Sequence, residues 1–202
     1  MTATGLVLLA LVPLLVIEAV TYSRAKMGGE FWRRPLDEKL DHIGNHLREW
    51  WILGIAWVGM LAVTLGGMAG LAWLLEDELA WIGFGALVVA VTAWYVGVTI
   101  QTAGLAVAAG QYAEEQVTPS WVHPLWYTGW MCELSWVFVA NVAYVAFGVA
   151  ILQGDVLAAW AGWAAIGVGG VIVAAAVVFS NQAFPQLGLL VPLVLGVALL
   201  LA

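Results

Sequence analysis

The sequence predicts an all-α integral membrane protein, a single bundle of about six transmembrane helices with an amphipathic helix at the cytoplasmic face. Hydrophobic residues make up 64% of the 202 residues and charged residues only 9%, whereas soluble domains average about a quarter charged residues. The apolar residues form long runs, and a membrane-spanning helix needs about 20 of them. All six Lys and Arg residues fall in one short segment, as Arg24, Lys26, Arg33, Arg34, Lys39 and Arg48.

The apolar runs define the predicted spans of one domain that covers residues 1–202. They lie at 4–22, 50–75, 80–110, 122–152, 157–179 and 186–202. The first run has no basic residues before it and its positive charges follow it, which favours a retained anchor over a cleaved signal peptide. The sixth run is short and carries Pro192.

The cationic segment, residues 23–49, predicts the orientation in the cell membrane. Loops rich in Lys and Arg stay in the cytoplasm, so the N-terminus is expected outside. Alternation then places the acidic links 76–78 and 153–155 outside, and 111–121 and 180–185 inside.

An amphipathic helix is predicted over residues 36–48. Its apolar side chains recur at i, i+4, i+7 and i+11, as Leu36, Leu40, Ile43 and Leu47. Pro35 and Asp37 suit the start of a helix. We expect this helix to lie on the inner membrane surface, where its cations suit anionic lipids.

The three histidines are expected at the same cytoplasmic face. His42 and His46 are four residues apart and can point the same way, and His123 begins the fourth span. Such a set, completed by a carboxylate, would suit zinc or another transition metal, and His123 could serve a haem at the membrane edge. The plainer interpretation is a solvated polar face with no cofactor.

Polar side chains also occur inside the spans, where they are functional hypotheses by default. Glu18 lies near the inner end of the first span, and Glu133 lies about eleven residues, or roughly 16 Å, into the fourth. Trp130, Asn141 and Tyr144 share the helical face of Glu133. The third span carries a second polar stripe, formed by Thr92, Tyr95, Thr99 and Thr102.

If the two stripes face each other, they line a polar cleft, which Gln101, Asn181 and Gln182 would extend inward. This interpretation predicts a protein that binds or transports an unidentified small molecule. Its expected site residues are Glu133, Asn141, Tyr144, Tyr95, Thr99 and Trp130. The structural alternative is that these groups satisfy one another and fix the helix register.

Two further classes of function stay open: a membrane enzyme using His42, His46 and His123, and a non-catalytic subunit of a larger complex. Nucleic-acid binding is not expected, because cationic residues are so few. The partners expected are the lipid bilayer and a small molecule. The GxxxG pattern of Gly66–Gly70 favours packing within one chain but leaves a homo-oligomer open.

Overall fold

The computed structural model of the chain describes residues 1–178 and 185–202, and helices make up 88% of it. No strand occurs in these described ranges, which confirms the all-α prediction. The helices are α1 (Thr2–Leu9), α2 (Leu11–Arg24), α3 (Gly29–Arg33), α4 (Leu36–Asn45), α5 (Leu47–Leu75), α6 (Glu78–Thr99), α7 (Leu105–Glu115), α8 (Val122–Gln153), α9 (Ala159–Val178) and α10 (Leu190–Leu201). A π-helical turn, the π segment (Ile100–Gly104), joins α6 to α7, and a 3₁₀ turn (Pro185–Leu189) precedes α10.

Five helical stretches are long and apolar enough to cross a membrane. They are Thr2–Arg24, Leu47–Leu75, Glu78–Glu115, Val122–Gln153 and Ala159–Val178. The predicted sixth span corresponds to a shorter apolar helix, Gln186–Leu201. Its 12-residue α-helical part, α10, is about 18 Å long at 1.5 Å per residue, against a hydrocarbon core of about 30 Å. The count of six spans is therefore approximate.

Short polar links end the long helices. α5 stops at Glu76, whose positive φ of 51° breaks the helical path, and Asp77 then caps α6. The Asp77 carboxylate accepts hydrogen bonds from the backbone N–H groups of Leu79 (2.8 Å) and Ala80 (3.2 Å), which would otherwise lack partners in the first helical turn. α7 ends in the same way at Gln116, with φ 55°.

The helices form two compact units, and the boundaries between the units fall inside α2, α5, α6 and α8. Unit 1 comprises residues 1–12, 61–94 and 133–202. In this unit α10 packs against both α1 and α9. The backbones approach closely there: a Cβ atom at Gly5 would lie 3.0 Å from the carbonyl oxygen of Gly196.

Unit 2 comprises residues 13–60 and 95–132. The predicted amphipathic helix is α4, which ends at Asn45 because His46 leaves the helical conformation before α5 begins. α4 packs against α7, and its Leu40 and Ile43 side chains are buried. The apolar face expected on the membrane surface is thus covered, at least in part, by protein.

The π segment interrupts the long helix that holds the predicted third span. Thr99, just before it, is exposed, whereas Gln101 and Thr102 within it are buried. A π turn contains more residues than an α turn, so the regular spacing assumed from the sequence does not hold across it. The three threonines and the tyrosine of the expected stripe therefore do not share one environment.

Candidate functional site

Two buried side chains on α8, in unit 1, form the first candidate site. Asn141 and Tyr144 are both 0% exposed. The Asn141 amide nitrogen donates a hydrogen bond of 2.7 Å to the Val137 carbonyl of the same helix. The Asn141 Oδ1 and Tyr144 Oη atoms have no hydrogen-bond partner among the described residues. The two residues are three apart, so they are neighbours on one helical face.

Glu133 and Thr64 belong to the same unit. Glu133 is half-buried and lies on α8, about 12 Å before Asn141 along the helix axis. Thr64, on α5, is fully buried, and its hydroxyl also lacks a hydrogen-bond partner in the described part of the chain. Gly169 of α9 packs against the backbone of Asn141, and a Cβ atom there would lie 3.0 Å from the Asn141 carbonyl oxygen.

The other expected ligand-binding residues lie in more open positions. Tyr95 is 50% exposed and Thr99 is also exposed. The hydroxyls of Thr92 and Thr99 each donate to a carbonyl of their own helix, at 2.8 Å, which satisfies a threonine without any partner helix. Trp130 is half-buried, and Asn181 and Gln182 lie outside the described residues.

His42 of α4 and His46, which follows the end of that helix, form a stacked pair. The rings of His42 and His46 lie 4.4 Å apart between centroids and 24° from parallel, which confirms that they point the same way. The His42 Nε2 atom lies 2.6 Å from the Ala25 carbonyl oxygen, and the His46 Nδ1 atom lies 3.0 Å from that of His42. His123 is exposed. Over the described ranges, no group of three or more His, Cys, Asp or Glu side chains is placed to hold a metal.

The environment of His42 disfavours its charged form. Burial is the main cause that lowers the pKa of His42 below 6.5, and the nearby His46 and Arg34 act in the same direction. The hydrogen bond to Ala25 and the charge of Asp41 oppose this shift in the pKa.

A set of packed rings in unit 2, the aromatic cluster, was not anticipated from the sequence. It consists of Tyr22, Phe31, Trp32, Trp50, Trp57 and Trp126. Successive ring centroids lie between 5.1 Å (Phe31 and Trp32) and 6.4 Å (Tyr22 with Trp32 and with Trp57) apart. Aromatic pairs at such distances contribute beyond the area that they bury.

Two buried indoles of the cluster bind polar groups. Trp57 donates a hydrogen bond of 2.7 Å to the Glu18 carboxylate, and Glu18 is only 4% exposed. Trp50 donates one of 3.0 Å to the carbonyl oxygen of Thr102 in the π segment. The sequence holds one signal for this arrangement: Trp50 and Trp57 are seven residues apart, and therefore lie on one face of α5.

Lys39 contacts the aromatic cluster at Trp126. Its side chain is buried, and its ammonium lies 4.3 Å from the centroid of the Trp126 ring, within the range of a cation–π interaction. Burial lowers the pKa of Lys39 from its ordinary value.

Two buried polar arrangements stand out among the described residues, the unpaired oxygens of α8 in unit 1 and the Glu18 carboxylate of unit 2. The π segment adds the partnerless Gln101 Oε1 and Thr102 Oγ1 atoms. A surface depression of about 490 Å³, lined by the 151–159 link and Ala202, contains none of the residues of either arrangement.

Comparison with known proteins supplies no relative: no protein-family model, curated protein or solved structure matches this chain.

Proposed function

We propose that the chain is a multi-pass protein of the cell membrane that binds or transports a small molecule at a polar site on α8, formed by Glu133, Asn141 and Tyr144. The supporting observation is the pair of buried, unpaired oxygens of Asn141 and Tyr144. A buried polar atom without a partner costs about 1–3 kcal/mol, and native proteins rarely leave one unpaired. A bound molecule that donates hydrogen bonds would remove this cost.

The hydrogen-bonding atoms of the proposed site suggest the chemistry of the bound molecule. Asn141 Oδ1 can only accept hydrogen bonds, while the Tyr144 hydroxyl can accept or donate. Glu133 adds a carboxylate on the same helical face. A molecule that carries N–H or O–H groups, such as an amine or a polyol, complements these groups. Tyr95 and Thr99, being exposed, do not enter the proposed site.

The structural alternative is that Asn141 and Tyr144 only fix the packing of α8. Measuring the Tm of the purified protein with each of a panel of amines, amino acids and polyols distinguishes ligand binding from this purely structural role. A ligand at 100 times its Kd stabilises by about 2.7 kcal/mol, and we expect at least one compound to raise the Tm. Glu133→Gln, Asn141→Leu and Tyr144→Phe should each weaken this rise.

Val142→Ala, at an exposed position of α8, is the matched control and should bind as the wild type does. The proposal fails if no compound in the panel raises the Tm or is taken up into vesicles, or if the three site variants respond as the control does.

The orientation forms part of the proposal. Residues 23–49 carry all the Lys and Arg residues, so the positive-inside rule places them in the cytoplasm and the N-terminus outside. Reporter domains fused to the N-terminus and inserted at the 76–77 link should both report the outer side. A cytoplasmic signal from either fusion would contradict this orientation.

A further inference from the structure

The turn between α2 and α3 exposes cations from a backbone that is held in place. Ala25 and Met27 are 0% exposed, whereas Arg24 and Lys26, which alternate with them, are exposed. The Ala25 carbonyl oxygen lies 2.6 Å from the Nε2 atom of His42, and Lys26 adopts a positive φ of 51°. The buried side chains fix the turn, so the two cationic side chains remain on its surface.

Two further cations follow at the end of α3. Arg33 is exposed in the last turn of this helix, and Arg34 after it is half-buried. Phe31 is 0% exposed, and its ring centroid lies 5.1 Å from that of Trp32 and 6.3 Å from that of Trp50. These contacts anchor α3 to the aromatic cluster. The resulting surface, the cationic corner, consists of Arg24, Lys26, Arg33 and Arg34.

The neighbouring helix α4 has the opposite surface charge. It exposes the carboxylates of Asp37, Glu38 and Asp41, whereas its one lysine, Lys39, is buried. In the cationic corner four cations stand against one carboxylate in the same stretch of sequence, that of Glu30. The corner is therefore better suited to anionic lipids than α4, the helix that the sequence predicted to meet them.

The corner lies where a membrane surface is expected. The first candidate span, Thr2–Arg24, ends at a residue of the corner. Trp32 and Trp126 are half-buried and their rings stack at 5.9 Å, and indoles favour the headgroup level of a bilayer. Lys and Arg residues just beyond a span attract anionic headgroups. A phospholipid phosphate would thus meet these cations without leaving the bilayer.

We propose that the cationic corner binds the phosphate groups of anionic phospholipids at the membrane surface. The guanidinium groups of its arginines can each donate two parallel hydrogen bonds to a phosphate, and Lys26 adds a further positive charge. The inference rests on the membrane location in the proposed function. It shares no residue with the α8 site, so either of the two sites can fail without the other.

The test titrates the full-length protein, in a neutral detergent, with phosphatidylglycerol, with phosphatidylcholine of the same acyl chains, and with soluble glycerol phosphate. The readout is the Tm as a function of ligand concentration. We expect a saturable rise with phosphatidylglycerol that weakens at high salt, a smaller rise with phosphatidylcholine, and none with glycerol phosphate at the same concentrations.

Variants locate the binding site. Arg24→Gln and Arg33→Gln should each weaken the apparent affinity for phosphatidylglycerol severalfold, and the double variant by roughly tenfold or more. Arg48→Gln is the matched control, because Arg48 is an exposed cation outside the corner, and it should bind as the wild type does. All three positions are exposed, so the variants should fold, which their Tm without lipid will verify.

Three outcomes overturn the inference. The first is an equal response of the wild type to the two lipids, and the second is an equal loss of affinity in Arg48→Gln and Arg33→Gln. The third is a response to glycerol phosphate as strong as that to the lipid, which would indicate a site for free phosphate. None of these outcomes bears on the small-molecule panel and the α8 variants, which test the proposed function separately.

Discussion

Unit 1 and unit 2 each contain close glycine contacts, but unit 2 also contains a larger cluster of packed aromatic rings. In unit 1 the helix backbones touch through glycine: a Cβ atom at Gly148 would lie 2.7 Å from the Gly162 carbonyl oxygen, and one at Gly83 would lie 3.0 Å from that of Ala143. In unit 2 a Cβ atom at Gly97 would likewise lie 3.1 Å from the Gly129 carbonyl oxygen. The rings of the aromatic cluster also pack together there, and two indole N–H groups bind a carboxylate and a backbone carbonyl.

The two units also differ in how some of their buried polar groups find hydrogen-bond partners. The buried Thr64 hydroxyl, Asn141 Oδ1 and Tyr144 Oη atoms of unit 1 have no partner in the described part of the chain. In unit 2 Glu18 and the Thr102 carbonyl are bound by tryptophans from a neighbouring helix. Unit 2 also contains two buried side-chain oxygens without a hydrogen-bond partner among the described residues, Gln101 Oε1 and Thr102 Oγ1, so the contrast holds only for the groups that the two indoles reach.

The largest expected effect is at the glycine contacts of unit 1. Gly148→Ala places a methyl group against the backbone of α9 and should lower the free energy of unfolding by about 3 kcal/mol, the upper end for overpacking. Denaturant titration in detergent measures it. Gly167→Ala on α9, where nothing lies within 4 Å of the new atom, should instead be neutral or slightly stabilising. Equal effects at both positions would refute the account of unit 1.

The next effect concerns the indole of Trp57. Trp57→Phe keeps a ring but removes the donor to Glu18, and should cost about 2 kcal/mol, because a buried carboxylate loses a hydrogen bond. Trp51→Phe, at a position 43% exposed, is the control and should change stability by less than about 0.5 kcal/mol. If Glu18→Gln removes most of the penalty of Trp57→Phe in a double-mutant cycle, the hydrogen bond is its source.

The sequence predicted the helices well and their mutual contacts poorly. Long apolar runs identify candidate spanning helices because lipid demands about 20 such residues. The spacing of His42 and His46 predicted neighbouring side chains, and they are neighbours although His46 lies just after the end of α4. The bond between Glu18 and Trp57 joins residues 39 positions apart, which no local pattern encodes. The third-span stripe was expected on one face because regular α-helical spacing was assumed, and the π segment breaks that spacing.

A smaller effect is expected at Thr64. Thr64→Val keeps the shape of the side chain and removes a buried hydroxyl without a hydrogen-bond partner among the described residues. We expect stability to rise by about 1 kcal/mol, as measured by denaturant titration. Thr99→Val, where the hydroxyl bonds its own helix at an exposed position, should be near neutral. A loss of stability in Thr64→Val would show that this hydroxyl has a partner after all.

The smallest effect is the pH dependence from His42. Its folded-state pKa lies below the ordinary 6.5, so the unfolded chain binds the proton more readily, and stability is lost as the pH falls through 6.5. The Tm of the wild type should therefore drop more between about pH 7.5 and pH 5 than that of His42→Gln. His123→Asn, at an exposed position, should follow the wild type. Parallel curves for wild type and His42→Gln would exclude this role.

The contact between Glu18 and Trp57 also has a consequence for biogenesis. The carboxylate belongs to α2, near the N-terminus, and its indole donor is synthesised 39 residues later. At about 5–20 residues per second, the ribosome needs on the order of a few seconds to supply that donor. The Glu18 carboxylate is therefore made a few seconds before the indole that binds it in the folded protein.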